Sequence, residues 1–457
     1  MSLRLARSYK LTTFALYDIS KLFLPKAETR RSKKDNRVLN GNYRKTVTRA
    51  KSSKAAKSTL RGEKFLTMES IIRTMINCIK YEVCGQKENV VLPDVSAKFL
   101  TELYKLSKAH DLAHLVGDAL EKSGVLLDGE IKNKFDKQVF TAIYRYENIN
   151  AELEEIREIL REENIEFIPL KGAVIRKYYP EPWMRTSCDI DVLIHKNDLE
   201  AAIKALSGKK GFTVEEKGSH DVGMFSESGV HLELHYSLIE SYVMDEAEKI
   251  LADVWTYAER VDKTSEYRLK DEAFYYYHVA HMAKHVMHGG CGVKPFVDLW
   301  VLEHKVEHSD EKRKDLLSRG GLEKFAEAAR ALSKVWFEDG EHTDVTRELE
   351  NFVLSGGVYG TLENSVSVGQ NKKGGKIKYI LSRVWLSYDV LKIQYPNLEK
   401  HKWLLPFYEA KRWLRLLFKG GVKRSVNEIK ITANMDSEKV ERSARLMSEL
   451  GLIERKK

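Results

Sequence analysis

Cysteine and proline are scarce in this sequence. Its 457 residues include only four cysteines and eight prolines. Cys78, Cys84, Cys188 and Cys291 form no CxxC pair and no zinc-type spacing, which excludes a disulfide-stapled scaffold and a cysteine zinc module. Such usage points to a reducing, cytoplasmic setting with inert thiols. No apolar run approaches the roughly 18–20 residues that span a bilayer, and no internal repeat is present. Most of the chain also lacks an excess of either charge. Residues 1–67 hold 18 Lys and Arg against 4 Asp and Glu, and the remainder holds 59 against 63. The net charge of +10 therefore belongs to an N-terminal tail. The body has no basic excess suited to long nucleic acid.

That tail, with "RRSKKDNRVLNGNYRKTVTRAKSSKAAKSTLRGEK" at its centre, is Ser-rich and poor in large apolar residues. It cannot bury enough surface to offset its ordering entropy, so residues 1–67 read as disordered. Three meanings stay open. It is an arm that contacts nucleic acid or other acidic surfaces, an organelle-type leader, or a stretch ahead of a true start at Met68. Residues 68–163 follow as a helical region. Ile71, Ile72, Met75, Ile76 and Ile79 recur at helix spacing, and Gly124 is placed to end a later helix. The texture then changes to short strands and short helices over 164–245. Here "EFIPL", "CDIDVLIH", "FTVEEK", "HDVGMFSES" and "VHLELHYSL" read as strands. Helices resume over 246–345 and 346–457. The expected class is α+β: a small mixed sheet flanked by mainly helical N- and C-terminal regions.

The chemistry concentrates in the strands. Ile190-Asp191-Val192-Leu193-Ile194 is apolar apart from one carboxylate, and Asp189 precedes it. Unpartnered buried carboxylates are costly, so something must offset them. Asp189 and Asp191 lie two apart and share one strand face, separated by roughly 6.5–7 Å. Glu233, between Leu232 and Leu234, offers a third carboxylate from a later strand. Three such acids can hold a pair of Mg²⁺ ions, which cancel the repulsion. Lys171-Gly172 falls where "EFIPL" meets the next helix. Gly172 lets a ligand approach the backbone, the helix start attracts phosphate, and Lys171 adds a mobile positive charge. Arg185 is read either as a phosphate contact or as an ion-pair partner of Asp189. Farther on, His278, His281, His285 and His288 fall on one helical face. They suit core packing, a zinc pair without its further ligands, or contact of His281, Lys284 and His285 with substrate phosphate.

The succession "LKG", then "RTSCDIDVLI", then "HLELHY" resembles the polymerase-β-like nucleotidyltransferase superfamily. More closely, it is similar to the bacterial group labelled uncharacterised nucleotidyltransferase. The likeness runs from about Met68 past residue 415, through "HMAKHVMHGGCGVKPFVDLW" and "YPNLEKHKWLLPF". The resemblance implies Asp189, Asp191 and Glu233 as catalytic metal ligands for Mg²⁺ or Mn²⁺. It implies a nucleoside triphosphate as substrate, and Lys171, Gly172, Arg185, His281, Lys284 and His285 at the nucleotide or its phosphates. Family members carry a similar H-x-x-x-H with a downstream aspartate, here Asp298. The superfamily usually carries Gly-Ser or Gly-Gly where this chain has Lys-Gly, so the phosphate hold differs. The reaction implied is transfer of a nucleoside monophosphate to an acceptor, a small molecule rather than long nucleic acid, with release of pyrophosphate. A non-catalytic module of the same fold, such as a toxin–antitoxin partner, and a protein AMP-transferase are the alternatives. "HKWLLPFYEAKRWLRLLFKGG", near the C-terminus, is amphipathic and basic. It is read as packing on the body with its basic edge in solvent, with a membrane-surface helix as the alternative.

Overall fold

The computed structural model describes residues 54–125, 127–218, 220–238, 245–418 and 422–453. Residues 1–53, most of the basic tail, lie outside the described residues. The chain divides into two units, Met1–Met68 and Glu69–Lys457. In chain order the helices and strands begin with α1 (Lys54–Val83), α2 (Ala97–Ala109), α3 (Ala113–Lys122) and α4 (Gly129–Glu162). The strand region holds β1 (Phe167–Pro169), α5 (Gly172–Ile175), β2 (Asp189–Ile194), α6 (Leu199–Lys210), β3 (Thr213–Lys217), β4 (Asp221–Phe225) and β5 (His231–His235). Next come α7 (Asp245–Ala252), the hairpin β6 (Ala258–Arg260) and β7 (Tyr267–Leu269), α8 (Asp271–Met287), α9 (Lys294–His304), α10 (Asp310–Arg319) and α11 (Glu323–Phe337). The last helices are α12 (Asp344–Leu354), α13 (Leu362–Lys373), α14 (Lys376–Val384), α15 (Tyr388–Gln394), α16 (Leu405–Phe418), α17 (Val422–Asn434) and α18 (Ser437–Glu449). The α+β expectation holds.

The five-stranded sheet runs β1-β2-β5-β4-β3. β2 and β5 are parallel, and the other neighbours are antiparallel. Alternation along the strands gives the sheet two unlike faces. On one face Ile190, Val192, Ile194, Val222, Met224, Leu232 and Leu234 are buried against Ile149, Leu153, Ile156 and Leu160 of α4 and Ala202 and Leu206 of α6. This apolar layer fixes the register, because a one-residue slip would turn the acids into it. The other face carries Asp189, Asp191, Glu233 and His235.

The helix that begins at Lys171-Gly172, after "EFIPL", is short. α5 is one turn, followed by a 3₁₀ turn over Arg176–Tyr178. Pro180 disfavours helical backbone at the residue before it, and Tyr179 is extended, with ψ 154°.

Glycine is required where two loops interlock. Thr361 N donates to Gly289 O at 3.3 Å, and Val358 N to Ala109 O at 3.0 Å. Gly360 has φ +64°, and a Cβ there would lie 2.1 Å from Gly289 O, against backbone that cannot swing away. Gly360→Ala is therefore expected to cost about 3 kcal/mol or more, from left-handed strain plus overpacking. A urea titration showing an unchanged midpoint would contradict that packing.

Candidate functional site

The parallel pairing of β2 with β5 sets Asp191 opposite Glu233 and Asp189 opposite His231. His235 follows two residues after Glu233, so it returns to the same face. These side chains converge. One ligand atom each from Asp191, Glu233 and His235 lies within 4.8 Å of the others, the group that could hold a metal ion among the described residues. His235 Nε2 is 3.0 Å from Asp191 Oδ1 and 3.5 Å from Glu233 Oε2. Lys171 reaches in from the turn between β1 and α5. Its Nζ lies 2.7 Å from Asp191 Oδ1 and 3.8 Å from Glu233 Oε2. The cost of burying Asp191, 2% exposed, is thus offset by a lysine and a histidine.

The electrostatics follow from that placement. Burial raises the Asp191 carboxyl, but Lys171 and His235 outweigh it and hold Asp191 well below the usual carboxylate range. Burial acts against the Lys171 charge, and Asp191, Tyr277, Glu233 and Asp189 together keep it well above an ordinary lysine. His235 is raised, because hydrogen bonds to Asp191 and Glu233 overcome its burial. Burial and the neighbouring Asp191 push Asp189 up to about 6, and Lys171 and Lys294 draw it down by less than it is raised. Asp189 shares the acid face but is not in the group of converging ligand atoms.

The turn itself departs from a simple glycine cradle. The positive φ, +45°, falls on Lys171 rather than on Gly172. A non-glycine residue held there stores strain, and that conformation accompanies the reach of Lys171 to Asp191. The open side of Gly172 is taken by Ser187, whose Oγ would lie 3.0 Å from an added Cβ. Arg176 ties the same parts together, donating from Nε to Gly172 O and from Nη2 to Ser187 Oγ, both at 2.7 Å. With four residues, α5 has too small a dipole to act as a strong anion site.

Arg185 is not brought to the acids. Its Nε donates to Asp298 Oδ1 at 2.7 Å and Oδ2 at 2.9 Å, and Tyr179 OH donates to Asp298 Oδ1 at 2.6 Å. Its ion-pair partner is therefore Asp298, not Asp189. Next to it, Lys294 Nζ pairs with Asp111 Oδ2 at 2.6 Å, and Thr186 Oγ1 donates to the same oxygen at 2.8 Å. These two clusters pin residues 185 and 186, and so aim the chain as it enters β2.

The histidine helix α8 divides its roles. His278 Nε2 bonds Pro295 O at 2.9 Å, and His288 Nδ1 bonds Lys284 O at 2.7 Å. His281 and His285 meet each other, Nε2 to Nε2, at 3.2 Å. Burial and Lys171 hold His281 well below its ordinary value. His285 is lowered to about 4 by burial, Lys284 and Lys171. Both rings are neutral at neutral pH. Lys284 is lowered to about 8, by burial and then by Lys171. His281 and Lys284 therefore feel the charges of the Lys171–Asp191 cluster, and so does Tyr277. His278 and His288 are directed elsewhere.

Two residues beside the acids carry no role in the motif reading. His235 was legible, since "HLELH" places it on the Glu233 face by strand alternation. Tyr277 had no local signal, because its place near these charges is set by the tertiary fold.

In-register carboxylates on parallel strands, Asp191 buried and Glu233 half-buried, with cations beside them, suit the grip on a divalent ion and phosphate that group transfer at phosphorus needs. The chain belongs to the family described as uncharacterised nucleotidyltransferase, whose family model matches residues 99–338. Membership supports a role in nucleotidyl transfer. No curated protein and no solved structure matches the chain.

Proposed function

We propose that this protein moves a nucleoside monophosphate from a nucleoside triphosphate to an acceptor, using a divalent cation held by Asp191, Glu233 and His235, with Asp189 on the same strand face beside them. The observation that carries the reading is the convergence of Asp191, Glu233 and His235 within 4.8 Å beside Lys171. The residues fit such an ion. Two carboxylates supply hard oxygen donors, and His235 adds a nitrogen that suits Mn²⁺ better than Mg²⁺. The buried Nδ1 of His235 has no protein partner. A bound cation would neutralise charge on the phosphates and lower the pKa of an acceptor oxygen.

The acceptor oxygen forms a bond to the α-phosphorus while the bond to the α,β-bridging oxygen breaks, and pyrophosphate leaves. Glu233, 27% exposed at its side chain, is the carboxylate open enough to take the acceptor's proton. Lys171 leaves Asp191 for the triphosphate tail as nucleotide enters. Lys284, poised near neutrality, adds positive charge on the α8 side.

The test is incubation with ATP, CTP, GTP and UTP, each labelled at the α-phosphate, with Mg²⁺ or Mn²⁺. Metal-dependent label transfer that vanishes in Asp189→Ala/Asp191→Ala is expected. Failure of both forms to bind any nucleotide would leave a non-catalytic module instead. A second outcome isolates the lysine. Lys171→Ala uncovers Asp191, so Mn²⁺ should bind the nucleotide-free protein about tenfold tighter while transfer slows about a hundredfold. Weaker Mn²⁺ binding in that variant would contradict competition between lysine and cation.

A further inference from the structure

The C-terminal helices carry a second strong charge feature. Residues 371–434 hold 15 Lys and Arg against 4 Asp and Glu. This stretch lies beyond the residues matched by the family model. Among the described residues it also contains most of the large apolar side chains that stand in solvent: Trp403 is 76% exposed, Ile377 75%, Phe407 61%, Leu381 59%, Leu414 54%, Trp385 53% and Val426 42%.

Their spacing is ordered. Phe407 and Leu414, seven apart, share one face of α16, and Trp403 lies in the 3₁₀ turn just ahead of it. The opposite face of α16 is the packed one. Glu409 accepts from Leu386 N at 2.5 Å and from Arg412 Nε at 2.8 Å, and Arg412 Nη2 donates to Val384 O at 2.6 Å. On α14, Ile377 and Leu381 fall four apart, with Trp385 at its end. Tyr379 points the other way and donates to Glu428 Oε1 at 2.7 Å. Each helix is therefore anchored through one face while its apolar strip faces water. Lys378, Lys411 and Arg415 stand exposed beside the strips. The expectation that the polar edge of α16 faces solvent accounts for Lys411 and Arg415, but not for the tryptophan, phenylalanine and leucine beside them.

We propose that α14 and α16 dock this protein onto an anionic lipid surface. Tryptophan and aliphatic side chains enter the headgroup boundary, and the flanking lysines and arginine meet acidic headgroups. A single-stranded nucleic acid would use the cations and the aromatic rings, but it has no partner for exposed Ile377, Leu381 and Leu414. The inference is independent of the transfer chemistry, since no residue in it belongs to the acid cluster. No helix among the described residues is long and apolar enough to cross a membrane, so the contact is with the surface.

The experiment is co-sedimentation of the full chain with vesicles of phosphatidylcholine alone, or of phosphatidylcholine and phosphatidylglycerol in equal parts, with tryptophan emission as a second readout. Binding to the mixed vesicles only is expected, with emission shifted to the blue. Trp403→Ala/Phe407→Ala and, separately, Leu381→Ser are expected to weaken binding at least tenfold with unchanged circular dichroism and melting temperature. These variants leave the basic N-terminal stretch intact. Undiminished binding would therefore assign the attraction to that stretch and overturn the proposal. So would no binding to mixed vesicles. A wild-type dimer that Trp403→Ala/Phe407→Ala disperses without lipid would assign the strips to self-association. Tight binding of an RNA oligonucleotide that the same double variant abolishes would assign them to nucleic acid.

Discussion

Replacing Asp191 by asparagine is expected to slow nucleotidyl transfer by about a thousandfold or more, equivalent to about 4 kcal/mol of lost transition-state stabilisation. Asp191 is where the charges of the site meet: Lys171 Nζ, His235 Nε2 and, across the strand pair, Glu233. An amide keeps the shape but removes the charge that a divalent ion needs. It also leaves Lys171 and His235 crowded without their counter-ion, so the ion-free protein should melt at a lower temperature as well. The two readouts separate the roles. Added Mn²⁺ should raise the melting temperature of the wild type and leave that of Asp191→Asn unmoved. If the variant kept its activity, or gained stability from Mn²⁺ as the wild type does, the cation would not be held at Asp191.

The largest expected effect on stability lies away from the acids. Asp298 is 1% exposed and is held by Arg185 and Tyr179. Asp298→Ala strands the Arg185 guanidinium in a buried setting and is expected to cost about 3–5 kcal/mol. Replacing both partners by apolar residues, Arg185→Met with Asp298→Leu, should cost less than Asp298→Ala alone, because no uncompensated charge remains. Denaturant titrations of the single and double variants test this directly. Additive losses would mean that the pair does not act as a unit. Because Arg185 and Thr186 feed into β2, Asp298→Ala should also lower transfer through misplacement of Asp189, with less effect on nucleotide affinity. A dominant loss of nucleotide affinity in Arg185→Met would instead make Arg185 a phosphate contact.

The sheet and its acid face were legible in the sequence because strand alternation is local. "CDIDVLIH" and "VHLELHYSL" each place carboxylates and apolar residues on opposite sides, and pairing in register then joins Asp191 to Glu233. Other features were not legible. Arg185 precedes the strand and could serve either a carboxylate or a phosphate. Its partner, Asp298, comes from α9, and no local pattern states which helix packs there. Likewise Lys171-Gly172 read as a glycine cradle, yet the strained φ sits on the lysine and Ser187 occupies the space beside the glycine. That space depends on Arg176 drawing the loop before β2 against α5, a contact between segments that sequence spacing does not encode. The four histidines share a helical face by arithmetic, but the fold separates them into two that meet each other within the field of Lys171 and two that bond backbone.

The most direct test is calorimetric titration of Mn²⁺ into the protein in the presence of a non-hydrolysable nucleoside triphosphate, comparing wild type with Glu233→Gln. Glu233 is the site acid contributed by β5, so its loss tests whether two strands share one ion. Saturable uptake by the wild type, weakened at least tenfold in Glu233→Gln, is the expected result. No uptake by the wild type, or equal uptake by both, would contradict a cation held between β2 and β5.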